Sequence, residues 1–177
     1  NTLNSNESFA SNKEVTPTVN AGIMYYYARQ QSKLNPFIGF SSFNLLTPRE
    51  TFFNANNKLP MRHYLHAGVR VNITELFYVL PKILIMQQGN ANEQTLASDA
   101  GFFLKNSEIW LIGGLVYRNK DAAVLSIGAR QDNYIAKVSY DFNTSTLSPV
   151  SNGRGAIEIS FTYIKTKEEA RDKKICP

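Results

Sequence analysis

From Tyr134 to Ile164 the chain alternates apolar and polar side chains along two successive arms, a pattern that few folds accommodate. The first arm sets Tyr134, Ala136, Val138, Tyr140 and Phe142 at one parity and Ile135, Lys137, Ser139 and Asp141 at the other. The second sets Ile157, Ile159, Phe161 and Tyr163 against Glu158, Ser160, Thr162 and Ile164. A side-chain period of two belongs to a β-strand, so the spacing predicts a hairpin with one apolar and one charged face. The apolar face must meet either a second protein layer or lipid.

The same punctuation runs through the chain. Residues 1–19 are polar, rich in Asn, Ser and Thr, and read as a loop or disordered lead-in. Strands are expected over 20–29, 36–45, 62–73, 77–87, 95–105, 108–118 and 121–130, followed by the two arms of the hairpin. Pro81 lies inside the fourth and predicts a bulge or local break, because proline donates no ladder hydrogen bond. Nine strands over 20–164 and no helix make an all-β antiparallel meander, with 165–177 as a charged tail.

No stretch supplies the roughly 20 apolar residues of a spanning helix. A transmembrane barrel stays open, since its strands need only about 10 residues each and half of those can be polar. Two patterns favour the barrel. The expected connections at 46–60, 89–93 and 143–153 fall at one end and are long, whereas 30–35, 74–75, 106–107 and 131–132 fall at the other and are mostly tight. Only the short turn at 119–120 breaks this rule, and the asymmetry is that of outer-membrane barrels. Aromatic residues also gather at strand ends on the apolar parity, Tyr134 and Tyr163 at the tight-turn end and Tyr117, Tyr140 and Phe142 at the other, as interfacial girdles require. If the tail lies in the periplasm, counting back nine strands puts the first residues outside the cell. The chain is therefore expected to be the C-terminal part of a larger, even-stranded barrel.

Strand phase selects an inward set: Arg62, Tyr64, Arg70, Lys82, Asp99, Arg118, Arg130, Lys137, Asp141 and Glu158. Arg or Lys facing lipid at mid-bilayer costs about 2–4 kcal/mol, which assigns these positions to a lumen. There they either pair into a solvated structural wall, with Lys137 and Glu158 as one expected pair, or grip a partner's segment or a small solute. Catalysis is not indicated. Asp141 and Glu158 sit on separate strands among basic neighbours, and Ser126, Ser139 and Ser160 lack a His partner. Gly113-Gly114 lies within a strand and reads as close packing or bending, with no phosphate loop anywhere. His63 and His66 fall on opposite faces, which favours structural roles over metal ligation, and nothing calls for a cofactor. The net charge of +5 comes partly from the mixed-charge tail and carries no nucleic-acid signature. Cys176, the single cysteine, excludes an internal disulfide and is a candidate thiol for bonding to a partner.

Several segments together resemble the PorP/SprF family of Bacteroidota outer-membrane proteins. They are Tyr64-Leu65-His66-Ala67-Gly68, Leu80-Pro81-Lys82-Ile83-Leu84, Trp110-Leu111-Ile112-Gly113-Gly114-Leu115-Val116-Tyr117-Arg118, Val138-Ser139-Tyr140-Asp141-Phe142, Ala156-Ile157-Glu158-Ile159-Ser160-Phe161-Thr162-Tyr163 and the closing Cys176-Pro177. The resemblance implies a non-enzymatic outer-membrane β-barrel of the type IX secretion system and its gliding branch. Its partners would be the lipid bilayer, other secretion or motility proteins, and a secreted surface protein such as an adhesin. By this resemblance the sequence is expected to lack the N-terminal third that such proteins carry. A diffusion porin or small-solute transporter, and a soluble β-sandwich or ligand-binding barrel, are the rival readings.

Overall fold

The computed structural model describes residues 17–27, 29, 32–50, 57–145 and 155–165. Its strands are β1 (Ala21–Tyr26), β2 (Leu34–Phe43), β3 (Arg49–Glu50), β4 (Asn57–Lys58), β5 (Arg62–Asn72), β6 (Phe77–Gln88), β7 (Ala91–Leu104), β8 (Ile109–Arg118), β9 (Ala122–Gln131), β10 (Tyr134–Asn143) and β11 (Ile157–Tyr163). Nine of them form one sheet in the order β1-β2-β5-β6-β7-β8-β9-β10-β11, with every neighbouring pair antiparallel. Among the described residues there is no helix. This is the expected meander, and β1 and β11 are the two edges of its sheet.

Three local details differ from the sequence expectation or sharpen it. The connection expected over 89–93 is a tight turn at Gly89-Asn90, because Gln88 already pairs with Ala91. Gly89 takes φ +54°, which glycine adopts without steric cost, and β7 thereby starts four residues earlier than expected. The connection between β2 and β5 carries a short ribbon of its own, β3 against β4. At Pro81 the β5–β6 ladder lapses between the pairs Gly68–Lys82 and Val71–Val79, with the same number of residues skipped on each side. The result is a break with its register kept, and Pro81 still sits opposite Ser98 of β7.

Almost nothing in this sheet is buried. Ile112 at 7% and Ala122 at 2% relative exposure are the hydrophobic core among the described residues. The apolar parity stays open: Ile127 is 72% exposed, Leu115 62% and Ile159 79%. A soluble sandwich would cover such a face with a second sheet about 10 Å away. None of the described residues forms a layer over it, and the contiguous apolar surface runs across all nine strands.

The opposite parity is more crowded although among the described residues it too lacks a covering layer. On β8 the alternation is plain, with Leu111, Gly113, Leu115 and Tyr117 exposed and Ile112 and Gly114 buried. Side chains on one face of an uncovered sheet shield one another only when the sheet curls toward that face. The mostly apolar parity therefore lines the convex side, and the parity that carries the charged residues lines the concave side.

Candidate functional site

The cross-strand register carries one phase through the whole sheet. On it lie Arg62 and Arg70 of β5, Lys82 of β6, Glu93 and Asp99 of β7, Arg118 of β8, Arg130 of β9, Lys137 and Asp141 of β10 and Glu158 of β11. No Asp, Glu, Lys or Arg of the nine strands falls on the convex phase. Tyr64 joins the concave set, its ring edge-on to Phe43 at 5.3 Å. His63 and His66 fall on opposite faces as expected. His66 lies over Gly39 on the concave side, while Ser42 Oγ and His63 Nδ1 are 2.5 Å apart on the convex side.

At the centre of the concave face Asp99 receives two ammonium groups. Lys82 Nζ is 2.5 Å from its Oδ2, and Lys137 Nζ is 4.0 Å from its Oδ1. Lys82 reaches from the adjacent strand, but Lys137 reaches across β9 and β8. Two glycines make the crossing possible. A Cβ on Gly128 would stand 2.6 Å from Cγ of Lys137, and one on Gly114 would stand 2.6 Å from both Oδ1 of Asp99 and Oγ of Ser126. Of the neighbouring pair, Gly114 therefore serves close packing, whereas Gly113 faces open space on the convex side.

Toward the end that carries the 46–60 connection the same device recurs with alanine. Arg118 of β8 reaches over β9 to Asp141 of β10, Nη2 to Oδ2 at 2.8 Å, and its Nη1 is 3.2 Å from Asp121. Ala122 is the register partner of both Arg118 and Asn143, and it is the most buried hydrophobic residue described. At the same end, on β5, Arg62 donates from Nε to Gln88 Oε1 at 2.8 Å.

Toward the tight-turn end the chemistry changes. Arg70 stacks its guanidinium 3.8 Å from the ring centroid of Tyr78 and 5.8 Å from that of Trp110. Tyr78 covers Gly101 and lies 5.3 Å from Trp110, which in turn lies 5.1 Å from Phe103. Arg130 is the register partner of Trp110 and donates to the backbone carbonyl of Asp132. Among the described residues neither Arg70 nor Arg130 has a carboxylate partner.

The residues expected to point inward thus share one face of the sheet, and one expected pairing among them is corrected. Lys137 pairs with Asp99 and not with Glu158, which stands opposite Ser139 on the edge strand and has no ion pair among the described residues. The carboxylate that attracts Lys137 is the one already approached by Lys82, and curvature brings it within reach. Sequence reasoning missed Glu93, hidden in an expected loop, and the group of Tyr78, Phe103 and Trp110. Parity counting along β6, β7 and β8 would have found those aromatics, since each shares its phase with a charged residue. Cys176 and most of the tail lie outside the described residues.

No curated protein and no solved structure matches this chain. The family described as type IX secretion system membrane protein PorP/SprF matches residues 1–163. A sheet with all its strand charges on one face and bare apolar side chains on the other is what a membrane setting requires of β-structure, and the match covers all nine of its strands. The chain belongs to the PorP/SprF family of type IX secretion system membrane proteins.

Proposed function

We propose that this chain forms part of an outer-membrane β-barrel that helps to secrete or anchor cell-surface proteins such as adhesins. The observation that carries the reading is the segregation of charge: every charged residue of the nine-stranded sheet is concave, and the convex face is largely apolar and left open by the described residues. Lipid supplies the missing layer for that face. The concave wall, with the connections at the 46–60 end, is then the surface left for protein partners.

Open sheet edges do not persist in hydrocarbon, so β1 and β11 need partners within the membrane. The two strands run in the same direction, because eight antiparallel steps return the chain to its starting sense. An antiparallel barrel accordingly closes through an odd number of further strands, which supports the reading of this chain as part of a larger, even-stranded barrel. The tight-turn end faces the periplasm in this arrangement and carries the tail with Cys176.

Two experiments test the proposal. Affinity purification from detergent-solubilised outer membrane is expected to bring down other secretion components together with a secreted surface protein. Recovery of the barrel alone, with steady open-channel current in a planar bilayer, would replace this reading with that of a porin. A membrane-impermeant maleimide is expected to label Cys176 only after the outer membrane is permeabilised. Labelling on intact cells would reverse the orientation.

A further inference from the structure

The geometry points to a binding site for an acidic polypeptide segment at the tight-turn end of the concave face, gripped by Arg70 and Arg130 across the aromatic bar of Tyr78 and Trp110. The inference rests on the barrel reading above and adds the chemistry of the partner. Three of the concave cations are satisfied by carboxylates: Lys82 and Lys137 by Asp99, and Arg118 by Asp121 and Asp141. Arg62, Arg70 and Arg130 differ in meeting no carboxylate among the described residues; Arg62 donates to Gln88 at the other end of the strands, whereas Arg70 and Arg130 stand beside the aromatic rings, an amide side chain and a backbone carbonyl.

Arg70 is also held in place. Tyr78 lies under its guanidinium, and its Nε donates to Asn72 Oδ1 at 3.0 Å. Stacking uses the face of the planar group and leaves its terminal edge-on donors free, which is the geometry that takes a carboxylate bidentately. Arg130 stands exposed beyond Trp110, so the two cations flank a floor of mutually tilted aromatic rings. A single small anion would use one guanidinium. An extended acidic segment can engage both and lay its apolar atoms on the rings between them. Inside a barrel such a pair of cations also attracts the segment at long range, because low-dielectric walls focus the field.

The chain contains one tryptophan, so Trp110 reports directly on this site. The full chain, reconstituted in lipid vesicles, is titrated with hexaglutamate while Trp110 emission is followed. A saturable change is expected. The double substitution Arg70→Gln with Arg130→Gln should weaken the apparent affinity by at least about tenfold, the scale of one charge-assisted hydrogen bond. Arg130→Gln alone, at an exposed position, should weaken it in the same direction if the double variant does not insert. Hexalysine should leave the emission unchanged.

An unresponsive emission, or an equal response in the double variant, would overturn the proposal. So would inorganic phosphate acting at the same concentrations as hexaglutamate, because that marks a small-anion site. Heat-modifiable mobility on gels is read in parallel: a chain that inserts but gives no Trp110 response refutes only this inference, whereas failure to insert even together with the strands that complete the barrel refutes the barrel reading.

Discussion

Lys137 on β10 sets its Nζ 4.0 Å from Oδ1 of Asp99 on β7, with β8 and β9 between the two residues. Three strand spacings amount to about 14 Å on a flat sheet. The two side chains meet because the sheet curls and because Gly114 and Gly128 lower the floor between them. Arg118 and Asp141 repeat the arrangement over Ala122. Each bridging charge thus lies over a small residue on an intervening strand, and the bridges tie non-adjacent strands together across the concave face.

Asp99 holds two cations at only 18% side-chain exposure, so its removal leaves both without a counter-charge. Asp99→Asn is expected to destabilise the folded barrel by about 1–3 kcal/mol. The check is the midpoint of urea unfolding in vesicles. A double-mutant cycle with Lys82→Met should show that most of the cost of the first change vanishes once Lys82 is gone. Additive costs would show that the two groups do not interact.

Gly113 and Gly128 should respond in opposite ways. A Cβ at Gly113 meets nothing within 4 Å, so Gly113→Ala is expected to be neutral or to stabilise by up to about 1 kcal/mol. A Cβ at Gly128 would meet the backbone carbonyl of Ala136, which cannot swing aside, and Gly128→Ala is expected to cost about 1–3 kcal/mol. The same unfolding midpoints separate the two, and equal effects would contradict the assignment of faces.

Ile127 lies in the middle of β9 on the convex phase, 72% exposed to whatever surrounds the sheet. Ile127→Lys is expected to lower stability in vesicles by about 2–4 kcal/mol, the cost of a cation on lipid at mid-bilayer. Ser139→Lys, on the concave phase of β10, should cost far less. Folding yields into vesicles measure both, and a tolerated lysine at 127 would mean that the convex face meets water.

Trp110 and Leu111 are sequence neighbours on opposite faces of β8. With acyl-brominated lipids, Trp110 emission should be quenched weakly. In a variant carrying Trp110→Phe and Leu111→Trp, the relocated indole should be quenched strongly. Equal quenching at the two positions would remove the distinction between lumen and lipid.

The strands, their phase and the all-β class were legible in the sequence because a period of two is a local property. The alternation of 134–142 and 157–163 needs no tertiary information to declare two faces, and the positions of Arg62, Lys82, Arg118 and Lys137 follow by counting. The tight turn at Gly89-Asn90 was less legible, since Asn92 and Glu93 look like loop residues until the register with β6 pairs them. Phe103 and Trp110 were hidden for another reason: an aromatic residue in a strand suits either face, and only its parity says which.

The amino-acid sequence alone determined that this chain is an antiparallel sheet with charge confined to one side, because side-chain parity along a strand is set by backbone geometry. Which charges meet was decided only by the tertiary structure. Asp99, and not Glu158, receives Lys137 because curvature shortens the path over β8 and β9, and curvature is a property of the whole sheet that no single strand encodes.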